Sequence, residues 1–308
     1  MSCWRIIIAI RLVVLSVILS AHASFAQAAP ARHPQRIVSL APSVTETLFA
    51  LGFGNRLVGV TTYCDFPAEA RKLPKIGGFM SPSLEVIVAK RPDLVIGVSS
   101  ATDPVTAREM ERLGLKVTLI SLASVSDILS SIKTIARSLG NPDAGEKLVR
   151  KITGQIDEVK KRVAPAPRRL TLLAVGLRPL VAVGGKNFID ELITLAGGEN
   201  IAGSAAQPWL NLPDEVVVAR APQVIIEAGM GSDRSESAKH WADLRSIPAV
   251  KERRVYPYPS DKILRPGPRI GEGLEEIARL VHPECFAEAR RGLNSGLNKG
   301  SGCEGSRP

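Results

Sequence analysis

Residues 84–96 of this chain recur in altered form at 214–226. Glu85, Val86, Val88, Ala89, Pro92 and Ile96 meet the same residue types at Glu215, Val216, Val218, Ala219, Pro222 and Ile226, and Lys90 is answered by Arg220. Each copy reads as a helix opened by an acid and stopped by a proline, then a short apolar strand. The spacing is too long for a solenoid unit. The repeat therefore predicts two lobes built alike, a matching glutamate on each, and a cleft between them.

The rest of the chain fills in around these copies. Strands are expected at 36–40, 57–61, 94–98 and 116–120, alternating with helices at 47–51, 105–113 and 125–139. Gly52, Gly114 and Gly140 follow those helices as stops. Ser43 and Glu46 have capping-box spacing, which makes Glu46 a capping residue. Alternating strands and helices predict a parallel sheet covered on both faces. Leu148, Ile152, Ile156, Val159 and Val163 then form one apolar stripe, predicting a single long helix over 142–163 that Pro165 and Pro167 stop. Such a helix between two α/β units acts as a stiff connector. The second unit has strands at 170–175, 181–183 and 255–258, helices at 188–195 and 271–281, and a Gly197-Gly198-Glu199-Asn200 stop. The fold class is α/β: two Rossmann-like α/β lobes, 36–141 and 168–283, joined by a long helix at 142–164. Residues 284–308, rich in Gly, Ser and Asn, are expected to be a disordered tail.

At 308 residues the chain can bury two cores, and with aromatics at only 4% aliphatic side chains must fill them. The start of the chain reads as a secretory signal peptide over 1–28: Arg5, an apolar run interrupted by Arg11, and small-x-small patterns ending at Ala23 and Ala28. Cleavage after Ala28 is preferred, with Ala23 as the alternative. The run is shorter than the roughly 20 residues that span a membrane. Cys3 precedes that run, and no cysteine follows it at a lipid-attachment position. Cys64, Cys285 and Cys303 remain after cleavage, so at most one internal pair forms, with Cys285–Cys303 the candidate. Basic residues exceed acidic ones but are scattered and lack interleaved aromatics, which speaks against nucleic-acid binding.

Catalytic signatures are missing. No G-x-S-x-G elbow, P-loop or H-E-x-x-H helix occurs. Gly52-Phe53-Gly54 lacks the third glycine of a dinucleotide fingerprint, and His33, His240 and His282 lie far apart in sequence. No metal site and no enzyme activity are expected.

Arg36-Ile37-Val38-Ser39-Leu40-Ala41-Pro42-Ser43-Val44-Thr45-Glu46 and the segment 83–96 resemble the opening and the signature of the Fe/B12 class of periplasmic substrate-binding proteins, which serve ABC importers. The likeness spans about Arg36 to Val281. It implies a binding protein with no catalytic cofactor, acting as a monomer in the periplasm. It also implies that Glu85 and Glu215 meet arginines on the permease subunits. Tyr63, Phe79 and Trp209 match positions where cobalamin binders of the class carry aromatics, Phe79 being smaller than its counterpart. Asp261 and Arg265 match their cleft-facing segment. The implied ligand is cobalamin or another corrinoid. The alternatives are a ferric siderophore, which the nearby Lys186, Lys262 and Arg269 would suit, or haem, with Tyr63, Tyr256 or Tyr258 as axial ligand. Outside the class, a periplasmic metal-ion binder or an uncharacterised enzyme remains as a rival. The cysteines that brace the second lobe in cobalamin binders are replaced by Ala196 and Ala278.

Overall fold

The structure, a computed structural model, describes residues 33–228, 234–258 and 261–286. The expected signal peptide, Cys303 and the tail beyond Phe286 lie outside the described residues. No helix within them is long and apolar enough to cross a membrane.

The first lobe holds β1 (Ile37–Ser39), α1 (Pro42–Ala50), β2 (Leu57–Val60), α2 (Leu84–Ala89), β3 (Leu94–Val98), α3 (Pro104–Arg112), β4 (Val117–Ile120) and α4 (Val125–Ser138). Its four strands form a parallel sheet in the order β2-β1-β3-β4. Period-2 alternation sends neighbouring side chains to opposite faces. Ile37 accordingly joins the core on one face and Val38 the core on the other. Gly52 closes the first helix at φ +84°, a backbone conformation that favours glycine.

The second lobe holds β5 (Arg169–Leu177), β6 (Leu180–Val183), α6 (Phe188–Leu195), β7 (Gly198–Asn200), β8 (Trp209–Asn211), α7 (Asp214–Arg220), β9 (Val224–Glu227), α8 (Arg234–Ala242), α9 (Pro248–Lys251), β10 (Val255–Pro257) and α10 (Ile270–Val281). Its sheet runs β10-β9-β5-β6-β8, with β7 paired to β5. Unlike the sheet of the first lobe, this one is mixed: β6 lies antiparallel to both β5 and β8. Only Arg178 and Pro179 separate β5 from β6, and a link that short permits only an antiparallel return. The Gly197–Asn200 stop also differs from expectation, because its last three residues pair as β7.

The long helix α5 (Pro142–Val163) joins the two lobes and packs on helices of both, α4 on one side and α10 on the other. Asn141 caps its start by accepting from the Ala144 N–H. At Gly145 an added Cβ would lie 2.6 Å from the Ala136 side chain, so glycine permits the close approach of α4. Leu48, Ile135, Ile152, Ile156, Leu192 and Ile277 belong to one continuous apolar core that crosses between the lobes. One face of the connector is therefore packed into this core along its length.

The chain stays ordered slightly past the expected boundary. Pro283–Phe286 form a 3-10 turn, and Phe286 is buried beneath the guanidinium groups of Arg162 and Arg279. The expectation of disorder from 284 does not hold for Glu284, Cys285 and Phe286, because these cation–π contacts and the Arg169–Glu284 ion pair fasten them.

Ile152 is fully buried in the shared core. Ile152→Ala should cost about 2–5 kcal/mol in urea unfolding while both lobes still unfold in one transition. Two separated transitions in the parent protein would show that the core does not couple the lobes.

Candidate functional site

Tyr63 stands on the loop leaving the carboxyl end of β2. Its neighbour Cys64 is buried, with Sγ 3.1 Å from Thr45 Oγ1 and 3.2 Å from Thr61 Oγ1. The Cys64 carbonyl accepts from Lys75 Nζ, and the Thr62 N–H donates to the Gly77 carbonyl. The loop is thus anchored on either side of Tyr63, whose own side chain is 56% exposed. An anchored backbone thus holds an exposed aromatic ring in place.

Trp209 is held in a similar way on the edge strand β8. The Pro208 carbonyl before it accepts from the Gly184 N–H at 3.0 Å and from Asn187 Nδ2 at 2.9 Å. Gly184 is required here, since an added Cβ would fall 2.1 Å from the Gln207 carbonyl oxygen. The Trp209 ring is 44% exposed. Phe79 differs: it is partly buried and packs against the core, while its neighbour Met80 is the most exposed large apolar side chain among the described residues.

Asp261 and Arg265 come together, but within a network that crosses from lobe to lobe. Glu46, on α1 of the first lobe, has 1% of its side chain exposed. Arg269 grips it with two bonds, Nε to Oε2 at 2.7 Å and Nη2 to Oε1 at 2.6 Å. Arg265 Nη1 adds a third to Glu46 Oε1 at 3.0 Å and reaches Asp65 Oδ1 at 2.6 Å, while its Nε meets Asp261 Oδ2 at 2.8 Å. Arg269 also lies 4.0 Å above the Phe66 ring.

Glu46 therefore does not cap its helix. The helix begins at Pro42, behind Ala41, which makes no side-chain capping bond, and the carboxylate is spent on arginines of the opposite lobe. The sequence reading missed this role, along with Asp65, Phe66 and Met80. Lys262 pairs with Glu272 at 3.2 Å and Glu276 at 3.1 Å, and the Glu276 hydrogen bond leads in raising its pKa. Lys262 and Arg269 are consequently neutralised within the protein, whereas Lys186 is exposed.

Burial alone would raise the Asp65 carboxyl, but the hydrogen bond and charge of Arg265 outweigh it and hold the group below its ordinary value. Burial would lower both arginines, yet the hydrogen bonds that Arg265 donates to Asp65 and Glu46, and Arg269 to Glu46, raise them.

Tyr256 and Tyr258 are partly buried and pack against the core, unlike Tyr63. Among the described residues, one cluster has metal-compatible spacing: His282, Glu284 and Cys285. His282 Nδ1 lies on Glu284 at 3.1 Å and Glu284 on Arg169 at 3.0 Å, while burial pushes the Cys285 thiol up. These contacts commit the cluster to internal bonding. Glu85 and Glu215 occupy matching first-turn positions of α2 and α7, and both are exposed.

A family profile described as periplasmic binding protein matches residues 37–262. The chain belongs to that family. The family is one of binding proteins, not enzymes. An uncharacterized ABC transporter substrate-binding lipoprotein of Bacillus subtilis is 30% identical over 267 residues, covering 83% of each chain. A vitamin B12-binding protein of Vibrio parahaemolyticus is 27% identical over 243 residues, covering 79% of this chain and 88% of that one. Among solved structures, the haem-binding protein RhuT of Roseiflexus superposes with a TM-score of 0.73 at 28% identity, covering 82% of this chain and 99% of the other. The periplasmic vitamin B12-binding protein of Vibrio cholerae gives a TM-score of 0.73 at 24% identity, covering 81% and 97%, a likeness of fold. The two-lobed α/β architecture is common to this group.

The depressed pKa of Asp65 means that its contribution to stability is present above its unfolded pKa and is lost as pH falls through its folded pKa. Asp65→Asn should therefore destabilise the protein at pH 7 by up to about 1 kcal/mol, since the group is half exposed, and by nothing measurable near pH 2. Thermal melts across that range check this. An equal effect at both pH values would assign the loss to packing instead of charge.

Proposed function

We propose that this protein captures cobalamin or a related corrinoid between its lobes and delivers it to the permease of an ABC importer. Tyr63 and Trp209 would lie against the faces of the macrocycle, with Phe79 at the margin and Asp261 and Arg265 bonding its polar groups. The mature protein, freed of residues 1–28, would act as a periplasmic monomer, docking through Glu85 and Glu215. The observation that carries this reading is the exposure of two aromatic rings on tightly anchored backbone, in a chain with few aromatics.

The magnitudes agree with a mixed site. Two rings covering ~150–250 Å² contribute about 4–6 kcal/mol gross, at about 25 cal/mol per Å². Micromolar binding needs about 8 kcal/mol net, so polar contacts must supply the remainder.

The lobe-crossing network bears on ligand charge. Glu46, Asp65 and Asp261 set three carboxylates against the two guanidiniums of Arg265 and Arg269. With the Arg71 charge also acting on Asp65, the cluster is near charge balance, so its arginines are spent within the protein and offer little to a carboxylate-rich siderophore. Haem is the second reading. Tyr63, the exposed tyrosine, supports it as an axial ligand, as does the likeness to a haem-binding protein.

Calorimetric titration of the mature protein with cyanocobalamin, haemin and ferric siderophores tests the assignment. Binding of cyanocobalamin is expected; no heat with cyanocobalamin and tight binding of haemin or a siderophore would overturn it. Trp209→Ala should weaken cyanocobalamin binding by about tenfold or more, because it removes about half of the stacking surface. An unchanged affinity would put that ring outside the ligand contact. E85A/E215A should retain ligand affinity and lose uptake, and uptake at the parental rate would count against docking through these acids.

A further inference from the structure

The duplicated helices share more than their glutamates. Both bury the same position completely, Ile87 in α2 and Val217 in α7. Both expose the acid, and both expose a valine three residues on: Val88 and Val218 are each 37% exposed. Ala89 and Ala219 beside them are also exposed. On a helix, residues three apart are surface neighbours, so each glutamate adjoins its valine on the same face.

Neither helix formation nor the core accounts for these valines. A β-branched residue is a weaker helix former than alanine or lysine, and at these positions it leaves apolar surface in water. One exposed valine on a protein surface needs no explanation. Two, at equivalent positions in separate lobes and each beside a matching acid, make a repeated composite face. Among the described residues neither Glu85 nor Glu215 has an ion-pair partner, so the charge of each face is available to a second molecule.

We infer that Val88 and Val218 are the apolar half of a docking surface present once on each lobe. It fits a membrane permease of two like subunits, each presenting a basic side chain bordered by an apolar one. This rests on the docking reading above and adds a contact to it. The charged half steers encounter and fixes orientation, and its contribution is screened by salt. The apolar half excludes water from the ion pair and contributes a part that salt does not screen. A partner built from two like subunits offers the same complement twice, which matches a face that the chain itself carries twice.

The test measures docking of the mature protein on the importer's permease–ATPase complex in lipid nanodiscs, by biolayer interferometry at low and high salt. V88S/V218S should weaken docking about tenfold at both salt concentrations, through faster dissociation. V88I/V218I, which restores apolar surface, should dock as well as the parent. E85A/E215A should lose docking mainly at low salt. Thermal melts of each variant check that folding is intact. If V88S/V218S docks like the parent while E85A/E215A fails, the valines are bystanders: the apolar half is wrong and docking by the acids stands. If neither pair changes docking, the docking reading falls and this inference falls with it.

Discussion

Glu46 is a carboxylate shut away from water, and its cations come from 219 and 223 residues further along the chain. A buried charge is tolerated only when it is paired and hydrogen-bonded, and Glu46 meets both conditions through Arg265 and Arg269. Those arginines belong to the second lobe and the glutamate to the first. The relation between the lobes is thus written into a set of charged bonds as well as into apolar packing. Asp65 and Phe66 extend the same contact along the loop that displays Tyr63. The position of that candidate ligand ring therefore depends on the far lobe.

The apolar side of the contact is α5. It lies in a core shared by both halves and is held by α4 and α10, so it resists bending. Packed helices accommodate small shear displacements more readily than wide rotations. Such packing leaves little room for a wide rotation of one lobe against the other. The charged network sits where such movement would be felt, with Arg265 held by three carboxylates at the contact between the lobes.

Much of the architecture was legible in the sequence because local signals agreed with the fold. The stripe from Leu148 to Val163, entered at Pro142, marked α5 with its observed bounds, and Phe188–Leu195, stopped at Gly197, has the bounds read from the sequence. Other elements left no such mark. Trp209–Asn211 is a three-residue edge strand, too short to show alternation. The helix Arg234–Ala242 has Trp241 as its one large apolar side chain, and its indole is secured by the buried Glu227 through a contact that no periodicity reveals. The turn at Arg178–Pro179 was hidden in an apolar stretch that does not mark where one strand ends and the next begins. At the site, Tyr63 and Trp209 could be singled out as scarce aromatics at strand ends or before the repeat. Glu46 could not be read, since its spacing from Ser43 imitates a cap and its partners lie in the other lobe.

The central claim is that a buried carboxylate of one lobe is energetically coupled to an arginine of the other. A double-mutant cycle on Glu46→Ala and Arg269→Ala, read by urea unfolding, measures it directly. The account predicts a coupling of about 1.5–3 kcal/mol, since the pair is buried and doubly bonded. A coupling below about 0.5 kcal/mol, as for independent sites, would contradict it.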